Sequence, residues 1–90
     1  MYRIYGYEQC HWCLKAKALL TDRGIPFEYV DIEPHEARVA WMDDRGFEGR
    51  QRTLPKVYTL IQGEEDLVGG YTDLEVSLQP IAIPTLEQRA

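Results

Sequence analysis

Tyr2-Arg3-Ile4-Tyr5-Gly6-Tyr7-Glu8-Gln9-Cys10-His11-Trp12-Cys13-Leu14-Lys15-Ala16-Lys17-Ala18-Leu19-Leu20 decides how this chain is read. Residues 2–7 alternate as a buried first strand. Leu14, Ala16, Ala18, Leu19 and Leu20 fall among Lys15, Lys17 and Arg23, which makes residues 11–23 a helix with an apolar stripe. Cys10 and Cys13 are the only two cysteines in 90 residues, and they stand at the start of that helical pattern. Sulfurs at this spacing can close a small disulfide ring when the backbone is a helix's first turn. A Cys-x-x-Cys between a first strand and a first helix reads as a redox pair.

Outward from this stretch, Gly24 stops the helix and Pro26 starts a new segment. Phe27-Glu28-Tyr29-Val30-Asp31-Ile32 has period two and predicts a second strand. Glu33-Pro34-His35-Glu36 opens a second helix, since proline suits the first turn and acids suit the positive end of the dipole. That helix runs to about Arg45 with Ala37, Val39, Ala40 and Trp41 inward, and Gly46 and Gly49 break it. Gly49-Arg50-Gln51-Arg52-Thr53 is a basic loop leading to Leu54-Pro55, and Lys56 to Ile61 is a third strand. Gln62-Gly63-Glu64-Glu65-Asp66 reads as a turn, with a short fourth strand beginning at Leu67-Val68. Gly69-Gly70 interrupts, and Thr72-Asp73-Leu74-Glu75 opens a third helix that Pro80 and Pro84 stop. The order β-α-β-α-β-β-α is an α/β fold: a small mixed four-stranded sheet with helices on both faces. Its first β-α-β unit demands a parallel pair with a right-handed crossover, and its last two strands a hairpin. Residues 1–79 form one domain; residues 80–90 lack a period and read as a loosely ordered tail.

Composition narrows the function. Hydrophobic residues make up 44%, enough for a globular domain near the small end of self-sufficient size. A net charge of −5 argues against nucleic acid as the main partner. No apolar run approaches the roughly 20 residues of a membrane span. Met1-Tyr2-Arg3-Ile4 enters a strand directly, without a signal-peptide layout, so a reducing cytoplasm is expected. A lone Cys-x-x-Cys there is more often catalytic or metal-binding than structural. The metal alternative is a zinc half-site, which needs His11, His35 or a second chain to complete it.

The chain resembles the glutaredoxins, of thioredoxin-like fold, over roughly residues 2–78. Three motifs carry the likeness. Cys10-His11-Trp12-Cys13-Leu14-Lys15-Ala16-Lys17-Ala18-Leu19-Leu20 is similar to C-P-Y-C followed by x-[RK]-A-K-x-L-L. Thr53-Leu54-Pro55-Lys56-Val57-Tyr58 is similar to T-V-P-Q-[IV]-F, whose proline is cis. Gly69-Gly70-Tyr71-Thr72-Asp73-Leu74 is similar to G-G-[YCF]-[TD]-D-[LF]. The compact length and Tyr5-Gly6-Tyr7 also resemble phage-encoded members. Three departures stand out: His11-Trp12 replaces Pro-Tyr, Tyr7 stands where many members carry Lys or Arg, and the last helix is short.

The chemistry suits these residues. Exchange needs a thiolate, an in-line target sulfur and a resolving thiol. Cys10 at a helix N-terminus is the expected exposed nucleophile, its thiolate favoured by the dipole and by Lys15 or Lys17 as nearby cations. Cys13, nearly a turn deeper, is the expected resolving thiol. His11 either sits near the Cys10 sulfur or is solvated at the rim. Trp12, at the family's tyrosine position, is a wall of a glutathione groove or an exposed aromatic. The resemblance implies that Thr53, Leu54 and Pro55 pair with the cysteinyl unit of glutathione by strand addition; without the resemblance, Pro55 is a trans proline starting an edge strand. It further implies that Gly70, Tyr71, Thr72 and Asp73 hold the γ-glutamyl end, or cap the helix, or both. Arg50 and Arg52 are candidates for the glycyl carboxylate or are solvated charges. Tyr7 completes the set of expected glutathione contacts.

The implied activity is glutathione-dependent reduction of protein disulfides and glutathione mixed disulfides by a monomer. Glutathione is then the reducing co-substrate, with no permanently bound cofactor and no metal. Disulfide-containing proteins are the clients, ribonucleotide reductase among them by likeness to phage members. One alternative is an NrdH-type redoxin fed by thioredoxin reductase, against which Gly69 to Asp73 counts. Another is a carrier of a [2Fe–2S] cluster ligated by glutathione between two subunits, which His11 in place of the motif proline permits.

Overall fold

The computed structural model describes residues 1–79, and the expected tail of residues 80–90, with Pro80 and Pro84, lies outside them. Four strands and three α-helices follow in the expected order: β1 (Tyr2–Gly6), α1 (His11–Asp22), β2 (Phe27–Asp31), α2 (His35–Asp44), β3 (Lys56–Ile61), β4 (Glu64–Gly69) and α3 (Tyr71–Ser77). A single 3₁₀ turn, Gly49–Gln51, lies in the basic loop. The sheet order is β2-β1-β3-β4. β1 pairs parallel with β2, Ile4 facing Tyr29, and antiparallel with β3, Ile4 facing Val57. β3 and β4 pair antiparallel with a register shift between Val57 and Tyr58.

The sheet separates two apolar clusters. On one face Ile4, Val57 and Leu74 pack with Ala16 and Leu20 of α1, all fully buried. On the other, Tyr5, Ile32 and Tyr58 meet Ala37 and Trp41 of α2 and Leu54. Helices thus cover both faces, α1 and α3 on one side and α2 on the other. Alternation along β1 sends Ile4 to the first cluster and Tyr5 to the second, as the pleat requires.

Several local expectations are corrected. The buried line of α1 is Cys13, Ala16 and Leu20, while Leu14 is exposed and Ala18 faces outward. The first cysteine-bearing turn, and not Leu14, sets the phase of the stripe. In α2 the buried residue is Met42; Ala37 and Trp41 are half-buried, and Val39 and Ala40 are exposed. Pro34 is the N-cap of α2, after a cis Glu33–Pro34 bond, and its carbonyl accepts from the Ala37 and Arg38 amides.

β4 is longer than expected. It begins at Glu64, so only Gln62 and Gly63 remain as the turn. Both have positive φ, 54° and 83°, the geometry of a two-residue hairpin loop that matches strand twist. Glu64-Glu65-Asp66 lacks apolar residues, yet Glu65 is tied by Arg3 and Arg45. α3 starts at Tyr71, one residue early, with Gly70 as N-cap.

Candidate active site

Cys10 is the N-cap of α1, in extended conformation (φ −84°, ψ 110°), and is joined to Cys13 in a disulfide with Cα atoms 5.1 Å apart. The Cys10 sulfur accepts from the Cys13 amide at 3.2 Å, so the first turn of the helix directs a backbone N–H at it. Cys13 is fully buried, while Cys10 is 6% exposed, less open than an exposed nucleophile but still the outer sulfur of the pair. The inner cysteine is seated against β1, where Gly6 leaves room for it. Such a pair can be reduced to two thiols and re-formed, with the helix head directing a backbone N–H at the outer sulfur.

The Leu54–Pro55 bond is cis, as the family likeness implies. The loop before β3 brings the Leu54 carbonyl oxygen to 3.7 Å from Cys10 Sγ. Beside the disulfide lies a groove of about 450 Å³, lined by Trp12, Thr53, Leu54, Pro55, Gly70, Tyr71, Thr72 and Asp73, together with Arg50. Eight of the expected contacts therefore line one surface. α3 begins within it, and the Asp73 carboxylate accepts the Gly70 amide at 3.1 Å, so Asp73 and not Thr72 caps the helix.

Tyr7 and Arg52 stand apart from that group. They line a second cleft, about 410 Å³, on the α2 side of Leu54, with His35 and Arg38. Arg52 bonds the Asp43 carboxylate at 2.8 Å and the Phe47 carbonyl at 3.0 Å. The Arg38 guanidinium lies 4.0 Å over the Tyr7 ring, so α2 places a cation where position 7 has none. His35 is exposed and forms one wall of this cleft.

Lys15 and Lys17 cover aromatic rings. Lys15 stands 4.7 Å from Trp12 and 5.5 Å from Tyr71, and Lys17 stands 4.8 Å from Tyr29. Trp12 is half exposed and tilts against Tyr71 at 5.4 Å, while His11 meets the Trp12 edge at 5.7 Å. Among the described residues, no group of three or more His, Cys, Asp and Glu side chains is arranged to hold a metal ion. No described helix is long and apolar enough to cross a membrane.

Sequence reasoning missed Lys56. It is buried, lines the groove and donates to the Thr53 carbonyl at 2.8 Å and Thr53 Oγ1 at 3.3 Å. Its place directly after Pro55 was the available signal. Burial lowers its pKa, against a raising influence from Asp73.

Comparison with known proteins agrees with this geometry. The glutaredoxin family model matches residues 3–64. Glutaredoxin 3 of Escherichia coli K12 is 35% identical over 71 residues, 79% of this chain and 77% of its own. The glutaredoxin of Enterobacteria phage T4 is 40% identical over 40 residues, 40% of this chain and 46% of its own. Among solved structures, glutaredoxin 1 from Francisella tularensis, complexed with cacodylate, superposes with a TM-score of 0.66 at 25% identity, covering 84% of this chain and 88% of that one. The chain belongs to the glutaredoxin family, of thioredoxin-like fold, and is a thiol–disulfide oxidoreductase with a Cys10–Cys13 pair.

Proposed function

We propose that this protein uses glutathione to reduce protein disulfides and glutathione mixed disulfides. The observation that carries the reading is the disulfide at the head of α1, whose neighbours Trp12 and Leu54 line a groove together with Pro55 and the Gly70–Asp73 turn. In the reduced protein the Cys10 thiolate attacks the sulfur of a mixed disulfide and its other sulfur leaves as a thiol after taking a proton. Cys13 then attacks the Cys10 sulfur, or a glutathione thiolate does. Two glutathione thiols supply the two electrons and two protons that return the disulfide to its reduced form, and they leave as glutathione disulfide.

Glutathione lies in the groove with its cysteinyl unit along Leu54, in backbone pairing, and its γ-glutamyl end at Gly70 to Asp73. Arg52, with Tyr7 and the cleft beyond Leu54, receives the glycyl carboxylate. Residues 1–79 constitute the catalytic domain, acting as a monomer in the cytoplasm with no permanent cofactor. Ribonucleotide reductase is a candidate client.

The test is turnover of a small glutathione mixed disulfide, coupled to glutathione reductase, for the wild type, Cys10→Ser and Cys13→Ser. Turnover lost in the first variant and partly retained in the second is the expected result. Turnover only when thioredoxin reductase replaces glutathione would overturn the reading.

A further inference from the structure

Lys56 is the buried charged side chain among the described residues, 6% exposed. Its ammonium has three protons. Two go to Thr53, to the carbonyl and the hydroxyl oxygen, and the ammonium also rests 4.8 Å above the Phe47 ring. None of the ion pairs among the described residues includes it. A desolvated cation is costly unless an opposite charge compensates it, which is why buried charges are ordinarily paired. Here a residue whose charge has no ion-pair partner among the described residues lines the groove, where an arriving ligand can supply one.

The groove carries a negative group as well. Asp73 uses Oδ2 to accept the Gly70 amide. Among the described residues its other carboxylate oxygen has no hydrogen-bond donor. Both residues line the groove, and Asp73 acts electrostatically on Lys56 across it.

We propose that Lys56 is a specificity-determining residue, donating its third ammonium proton to the α-carboxylate of the γ-glutamyl end of a glutathionyl substrate while Asp73 receives the adjacent α-ammonium. The inference rests on the glutathione reading above. A paired cation and anion recognise a zwitterionic amino-acid head. A lone carboxylate or a lone amine leaves one of the two groups unpaired. The bonds to Thr53 fix the ammonium beforehand, so little side-chain freedom is lost when the substrate binds.

The test compares two glutathionylated forms of one peptide, one with natural glutathione and one with the γ-glutamyl α-carboxylate converted to the amide. Wild type, Lys56→Gln and Lys56→Met are assayed with glutathione and glutathione reductase. With the natural form, Lys56→Gln raises KM by about tenfold, the scale of one lost charge-assisted hydrogen bond, and leaves kcat within about twofold. With the amide form, wild type and Lys56→Gln share one KM. Direct binding of glutathione disulfide to Lys56→Met, by calorimetry, shows the same loss. An equal rise in KM for both forms would mean that Lys56 only braces the Thr53 loop, and would overturn the inference. So would an unchanged KM for the natural form. Failure of the wild type to turn over the natural form would overturn the glutathione reading, and the inference with it.

Discussion

Cys13 is packed directly against the backbone of Gly6. A Cβ at Gly6 would stand 2.7 Å from Cys13 Sγ, 2.8 Å from Cys13 Cβ and 2.8 Å from the Tyr29 hydroxyl oxygen. The glycine is required by close approach of β1 to the first turn of α1, and its backbone angles play no part. Gly6→Ala therefore overpacks the site and destabilises the protein by about 1–3 kcal/mol. Because the displaced group is the inner sulfur, closure of the Cys10–Cys13 disulfide slows more than exchange at Cys10 does. The urea midpoint and the rate of intramolecular disulfide formation measure the two effects. A midpoint equal to wild type would show that the helix withdraws from the strand without cost.

Glu65 links β4 to β1 and to the end of α2. Its carboxylate accepts from Arg3 at 2.8 Å, from Arg45 at 2.9 Å and from the Tyr5 hydroxyl at 2.5 Å. Burial pushes its pKa upward, but the hydrogen bonds from Tyr5 and Arg3 and the charge of Arg45 outweigh it and hold the pKa below the ordinary carboxylate value. A depressed carboxylate pKa stabilises the fold above the unfolded-state pKa, and that stability is lost as pH falls through the folded value. Wild type is thus expected to lose stability on acidification below about pH 4.5, from the unfolded carboxylate value, more steeply than Glu65→Gln. Thermal unfolding from pH 7 to pH 3 distinguishes them; parallel curves would remove Glu65 from the account. Arg45→Met at neutral pH costs about 1.5–3 kcal/mol, the range for hydrogen bonds to charged groups.

The same residue shows why part of the fold was legible and part was not. Period two in residues 2–7 and 27–32, and the helical stripe after Cys13, depend on neighbours in sequence, and these elements appear where the pattern puts them. β4 begins in Glu64-Glu65-Asp66, which has no apolar alternation, and its Glu65 partners lie 62 and 20 residues away. Lys56 escaped notice because β3 is a central strand covered on both faces. Lys56, Val57 and Tyr58 are buried in succession, and alternation gives no warning of an inward lysine. The motif residues at 53–55 and 70–73 do come together in one groove, which Leu54 joins to the disulfide. Tyr7 and Arg52 fall on the far side of Leu54, a separation that spacing along the chain cannot reveal.

Burial of Lys56 also has a consequence for alkaline stability. Desolvation lowers its pKa, although Asp73 opposes the shift. A cation whose folded pKa lies below its unfolded value binds protons better when unfolded. Stability therefore rises with pH between the two values. Relative to Lys56→Met, wild type should gain stability as pH rises toward the ordinary lysine range, whatever the difference at neutral pH. Chemical denaturation of both proteins at several pH values checks this. A constant difference would show that the ammonium titrates as freely as in the unfolded chain.

Gly69 is the position where backbone conformation and space act together. Its φ of 128° is a region that side chains disfavour, and a Cβ there would run into the Asp73 carboxylate, 2.7 Å from its Cγ and closer still to Oδ2. Asp73 would have to swing away and give up the Gly70 amide, the side-chain cap of α3. Loss of a cap costs about 0.5–2 kcal/mol, and strained backbone adds about 1–3 kcal/mol. Gly69→Ala is therefore expected to lower stability and to raise KM for the glutathionyl peptide, since displaced Asp73 no longer faces the substrate. Gly63, with a φ of 83° and nothing within 4 Å of its Cβ site, is the control. Gly63→Ala carries the backbone strain alone, lowering the denaturation midpoint while leaving KM unchanged. Equal KM values for the two variants would show that backbone strain, and not the place of Asp73, governs the groove.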